Sequence, residues 1–445
     1  MSKLTSGQLL AVYGMSPEGA VAYLEQKGLR ISGNWHDMLN EDHAEAFTVA
    51  NCAKLDVLRD LHLAAVNAAK LGSTEREFIK NLIPTLQSQG WWGKTMNEDG
   101  SISQLGSVRR LQTIYRTNLQ SAYMAGRYRE MVQGVESHPY WKYIAILDGK
   151  TRPSHASMNG RIFKWDDPVW EFAYPPNGYN CRCRVVAVSS HNVDKNNLTV
   201  EDSTDRIVKK EVPIGKDADG NVLYTDVMGI KLPTTGDKFI TLFTDAGFDV
   251  NQGMAATTYA ARIFADKMAK ADAQLGAVAM QAAQDWLLPS LTREYQTWAQ
   301  GLLASKQAKN SARVIGAMSP TILDSLQVIG LDPASAAITL RDTEFLHLYR
   351  DDKVSRGDAL LPAEIFDLPN LLANAKAVLW DESDQALVYL LETKQEKKAV
   401  IRVNYKQKQN INGVRDKALV NSVRTAGAAD VGDLRQYQLL QGRLD

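Results

Sequence analysis

The sequence predicts a multidomain α+β protein, and three observations carry that prediction. Apolar residues recur at helical spacing through most of the first 135 residues. A turn-rich block near the middle is bracketed by two short strand-like runs. Toward the carboxyl end, a few helices are followed by four closely spaced strand-like segments, the pattern of a small domain with an antiparallel sheet. At 445 residues the chain is too long for one ordinary core. The expected divisions are a helical part at 1–135, a small turn-rich β-containing module at 136–190, a connector with helices at 191–310, and an α+β domain at 311–445.

The elements follow in order. Leu58, Leu61, Ala65 and Ala68 mark one helical face. After Gly72, Thr74-Glu75-Arg76-Glu77 has the shape of a capping box, and Phe78, Leu82 and Leu86 continue an apolar stripe. Gly90-Trp91-Trp92-Gly93 and the polar run from Asn97 to Ser103 interrupt it. A long helix then carries Val108, Leu111, Tyr115, Leu119 and Ala122, ending near Gly134. Trp141–Leu147 reads as a strand, and Val185–Val188 as its return. Residues 190–240 are polar, with Asp217–Asn221 a hairpin turn. Residues 254–310 are helical. The last part has a helical start near Ser311, then strands at Ala377–Asp381, Ala386–Glu392, Lys398–Tyr405 and Leu419–Thr425.

Composition narrows the function classes. Hydrophobic content of 44% with 23% charged residues is that of a folded, water-soluble chain. The formal net charge is zero, so no global field draws the molecule to nucleic acid or to membrane, and any such attraction must be local. The stretch from Met1 to Met15 does not read as a signal peptide, and no window approaches the ~20 apolar residues of a spanning helix. Three cysteines, two of them one residue apart, argue against a disulfide framework and for assembly in a reducing cytoplasm.

The central block holds Asp148, Thr151-Arg152, His155, Asp166-Asp167 and Cys181-Arg182-Cys183. His155, Cys181 and Cys183 are three zinc-type donors, and Asp148 is a candidate fourth. A metal would suit a segment of some fifty residues with little core of its own. Two other readings stand beside it: the cysteines pack on one side of a strand while His155 bonds a loop carbonyl, or a thiol acts as nucleophile with His155 as base.

The order and spacing of these residues resemble a family. Thr151-Arg152-Pro153-Ser154-His155, Gly160, Trp165-Asp166-Asp167-Pro168, Trp170 and Pro175-Pro176-Asn177-Gly178-Tyr179-Asn180-Cys181-Arg182-Cys183 are similar to the signature of the Mu F-like head morphogenesis family. So are Gly90–Gly93, Tyr115–Asn118 and Ala122–Tyr128 upstream. Gly247–Gly253 resembles that family's Gly-Phe-Asp-Tyr-Asn-Pro-Gly stretch, departing at Val250 and Gln252. The likeness spans about residues 20–255. It implies a minor capsid protein in the head of a tailed phage, near the portal, with portal and major capsid proteins as partners, and a role in assembly, DNA packaging or ejection. It implies no catalysis by this region and no required cofactor.

In the last part, His347, Arg350 and Lys353 recur every third residue, along one side of a helix. This part resembles the barnase–EndoU–colicin–RelE type of nuclease domain, which implies metal-independent RNA cleavage. In that reading His347 is the general acid or base, Arg350, Lys353 and Arg402 hold phosphate, and Thr425 positions it. From Lys376 to Arg424 there are ten Lys or Arg against six Asp or Glu, so this stretch is locally basic in a neutral chain.

Overall fold

The computed structural model describes residues 17–444, apart from 97–99, 101, 218, 235–237, 309, 350–358 and 412–413. It divides into two compact units, one up to Thr257 and one from Thr258. No helix among the described residues is long and apolar enough to cross a membrane.

The first unit opens with helices α1 (Pro17–Glu25), α2 (Leu55–Leu71), α3 (Glu75–Ser88) and α4 (Val108–Gln133). Gly72 stops α2 in the left-handed conformation (φ 68°), where its lack of a Cβ costs nothing. Thr74 then caps α3. Its hydroxyl accepts the Glu77 N–H at 3.3 Å, and the Glu77 carboxylate accepts the Thr74 N–H at 2.8 Å. The predicted stripes meet in one core, in which Leu58, Leu61 and Ala65 pack with Phe78, Leu82, Leu86, Leu111 and Leu119. Trp91 is buried beside them and donates its indole N–H to the Asn51 carbonyl.

The far half of α4 turns Met124, Tyr128 and Met131 toward a second core. Strand β1 (Tyr140–Ile144) is central there, between β2 (Ile162–Lys164) and β3 (Arg184–Val188), while β4 (Val200–Glu201) runs parallel to β2. Helices α5 (Pro153–Ser157) and α6 (Val169–Phe172) fill the connections. A three-stranded antiparallel sheet of β5 (Ile207–Lys216), β6 (Val222–Pro233) and β7 (Phe239–Phe243) adds Ile230, Leu232 and Leu242. The β5–β6 turn is closed by Asp217, which accepts the Asn221 N–H at 2.8 Å.

Two expectations are corrected here. The central block does not lack a core. Trp141, Tyr143, Phe163, Trp170 and Tyr174 are all buried in contact-forming clusters, and aromatic residues bury the most area per residue. The stretch 191–310 is not one connector either. Its strands complete the core of the first unit, and its later helices belong to the second.

The second unit contains α8 (Ala273–Ala282) and α9 (Gln284–Ser305), which follow α7 (Gln252–Met268). The helical start expected near Ser311 is instead strand β8 (Ala312–Ala317). Its β-branched Val314 and Ile315 are buried in the sheet, and the helix is delayed to α10 (Pro320–Val328), capped by Ser319. Next come β9 (Ala337–Arg341), α11 (Asp342–Leu348), α12 (Pro362–Phe366) and α13 (Leu368–Ala373). The expected strands appear as β10 (Ala377–Asp381), β11 (Ala386–Leu391), β12 (Lys397–Ile411) and β13 (Val414–Ala428). Helix α14 (Val431–Leu434) and β14 (Gln438–Gly442) close the chain.

Those four strands pair antiparallel in sequence order, as expected. The sheet is larger, with seven strands in the order β8-β9-β13-β12-β11-β10-β14, and the β9–β13 pair is parallel. One face, with Trp380, Leu387, Tyr389, Ile401 and Val423, lies under the helices of the unit. On the other, Leu379, Val388 and Leu390 pack on Leu434. Burial on both faces explains why β10 and β11 read as nearly unbroken apolar runs.

Candidate metal centre and the carboxyl-terminal cationic face

His155 enters the second core on α5, which Pro153 starts at its first turn. Cys181 and Cys183 precede β3 and reach the same point. The three are 3%, 8% and 2% exposed, and their ligand atoms all lie within 4.8 Å of one another. His155 Nδ1 is 3.7 Å from each Sγ. Around them, the Tyr143 hydroxyl donates to Asn177 Oδ1 at 2.8 Å, with both residues buried. Arg152 Nη1 is 3.4 Å from His155 Nε2, and Arg152 Nη2 donates to Asp245 at 2.9 Å.

The thiols are pushed in opposite directions. Cys181 is held well below the ordinary thiol range, first by a hydrogen bond from Cys183 and then, against burial, by His155. Cys183 is driven up by the same contact with Cys181 and by burial. A nucleophile also needs an approach path, and thiols this enclosed behave as structural ones.

Asp148, expected as the fourth ligand, is not with them. It is half-exposed and takes a two-pronged contact from Arg182 at 2.6 and 2.8 Å. Arg182 holds its carboxyl well below the usual carboxylate range. Among the described residues, the donor set is His155, Cys181 and Cys183.

Most of the remaining signature residues are structural. Asp167 accepts the N–H groups of Val169 and Ser203 and the Ser203 hydroxyl. Trp170 donates to the Lys164 carbonyl at 2.9 Å. Asn251 is fully buried. It donates to the Trp170 carbonyl and accepts from the N–H groups of Gly253 and Met254. At Gly178 a Cβ would meet the Arg152–Asp245 ion pair, and those two exposed side chains would have to shift to admit it.

In the second unit, His347 is half-buried on α11. One turn earlier, buried Glu344 binds Arg341 at 3.1 Å and Arg424 at 2.7 Å. The Arg424 guanidinium lies 4.7 Å from the Tyr405 ring centre and that of Arg402 lies 5.9 Å from it. Arg402 pairs with Ser422 in the sheet, and Thr425 pairs with Val400. Both are exposed on the face opposite Ile401 and Val423. Arg402 and the helix turn before His347 are thus connected through Tyr405, Arg424 and Glu344. Arg350 and Lys353 lie outside the described residues.

Arg341, Glu344, Tyr405 and Arg424 are absent from the expected set. Glu344 was legible as the residue one helical turn before His347. Its bond to Arg424, eighty residues away, was not.

Comparison with known proteins bears on the whole chain. A family model described as "Phage Mu protein F like protein" matches residues 59–186. The "Putative capsid assembly protein F" of Escherichia phage Mu is 33% identical over 412 residues, covering 91% of this chain and 89% of that one. The "Mu-like prophage FluMu F protein" of Haemophilus influenzae is 32% identical over 427 residues, 94% of this chain and 100% of its own. No solved structure matches. With that identity sustained nearly end to end, the chain belongs to the phage Mu F-like family.

Proposed function

We propose that this protein is a capsid assembly component of a Mu-like phage head. It is a minor head protein acting near the portal vertex, in contact with portal and major capsid proteins, made in the host cytoplasm and retained in the virion. The observation that carries this reading is the alignment to the Mu capsid assembly protein over 91% of the chain. Resemblance confined to one module would support only a shared fold. Buried signature residues agree with it, since Asp167, Trp170 and Asn251 are used for packing rather than for a reaction. The test is the protein content of particles purified through a density gradient and washed at high salt. The protein is expected to remain with DNA-filled heads at low copy number relative to the major capsid protein. Its complete loss from washed heads would overturn the virion assignment.

A second reading is favoured by the geometry of the carboxyl-terminal sheet. Arg402 and Arg424 beside Tyr405, with His347 one turn from Glu344, offer cations and an aromatic face to a phosphodiester. In this reading the second unit is a metal-independent ribonuclease-like effector carried by the particle, with RNA as substrate, His347 as acid or base and Thr425 as a positioning group. The purified full chain is then expected to cleave RNA in the presence of a chelator, and His347→Ala to reduce the rate by about 10²–10⁴-fold. RNA left intact by the wild-type chain removes this reading.

A further inference from the structure

The cluster formed by His155, Cys181 and Cys183 brings one imidazole nitrogen against two thiol sulfurs inside the second core. In a tetrahedral zinc site, with Zn–S of about 2.3 Å and Zn–N of about 2.0–2.1 Å, neighbouring sulfur and nitrogen ligands stand about 3.6 Å apart. Here Nδ1 of His155 stands 3.7 Å from Cys181 Sγ and 3.7 Å from Cys183 Sγ. One nitrogen therefore faces both sulfurs at the edge length of that tetrahedron. We propose that His155 Nδ1, Cys181 Sγ and Cys183 Sγ bind a zinc ion, with solvent or a small ligand in the fourth position.

Charge supports the same assignment. Two thiolates and a neutral imidazole carry two negative charges, which a divalent ion cancels at a buried site. The nearby arginines do not supply that cancellation, because Arg182 is paired with Asp148 and Arg152 with Asp245. Coordination through Nδ1 leaves the proton on Nε2, which faces Arg152 Nη1 at 3.4 Å. That contact is long, and Arg152 keeps its 2.9 Å bond to Asp245 when it is given up. Since the surrounding aromatic core is already built, the ion's role is to clip the five-residue helix α5 to the segment entering β3, across a loop of twenty-six to twenty-eight residues. Because the site exists only in the folded chain, binding the ion adds directly to folding stability.

The test uses the full-length protein, expressed in zinc-supplemented medium and purified under reducing conditions without chelator. Elemental analysis is expected to give about one zinc per chain, falling below about 0.1 in Cys181→Ser, Cys183→Ser and His155→Ala. Cys52→Ala removes a buried thiol from the separate helical core and is expected to retain the metal. Because a ligand variant can lose metal by misfolding, the wild type is also stripped and reloaded with cobalt. Thiolate-to-cobalt charge-transfer absorption is expected on reloading, and a lower melting temperature in the stripped form. Wild-type protein that carries less than about 0.1 equivalent and takes up no cobalt under reducing conditions would overturn the proposal.

Discussion

At the scale of single residues, the least expected feature is Lys27. It is 7% exposed, and its ammonium lies 4.2 Å from the Tyr23 ring centre. Burial pulls it down to about 7. In the unfolded chain the same group stays protonated to its ordinary value of about 10.4. Between those two values the unfolded state binds more protons, so this residue makes stability rise with pH, by about 1.4 kcal/mol per pH unit at most. Below about 7 the penalty is present in full. Lys27→Met is therefore expected to stabilise the protein at pH 7, and the gain is expected to shrink by pH 9.5, read from urea midpoints at the two values. An equal gain at both would mean that the lysine is not desolvated. The sequence held no sign of this, because a lysine after a short helix looks like any solvated charge.

At the scale of elements, local chemistry was highly legible where it closes on itself. The reciprocal bonds of Thr74 and Glu77 fall within one turn, and the glycine that stops α2 sits two residues before that cap. Thr74→Ala is expected to cost about 1 kcal/mol of stability, measured by chemical denaturation, with Thr74→Ser close to wild type. A loss well below that range would show that tertiary packing, not the cap, holds the start of α3. Strands were less legible. The four carboxyl-terminal ones fell near their expected positions, and β12 and β13 both run beyond them. The six residues of β8, interrupted by Arg313 and Gly316, carry no decisive period of their own and read as the start of a helix. Its pairing with β9 settles it, and that partner lies beyond the intervening helix α10.

At the scale of the whole molecule, the α+β class and the family were both present in the sequence. The reason is that periodicity, caps and the signature around His155 and Cys181-Arg182-Cys183 are short-range patterns. The tertiary structure decided which of those residues meet. Asp148 and Arg182 are thirty-four positions apart, and their ion pair takes Asp148 away from the histidine and the cysteines. Glu344 joins Arg424 from eighty positions away and gives the helix of His347 a cationic neighbour that spacing could not reveal. The strands of residues 207–243 looked like a polar connector because their buried face is narrow, with Ile230, Leu232 and Leu242 completing a core supplied mainly from elsewhere. Local propensity is written in neighbouring residues. Burial, ion pairing and ligand geometry depend on contacts across the chain, and only the folded structure selects among them.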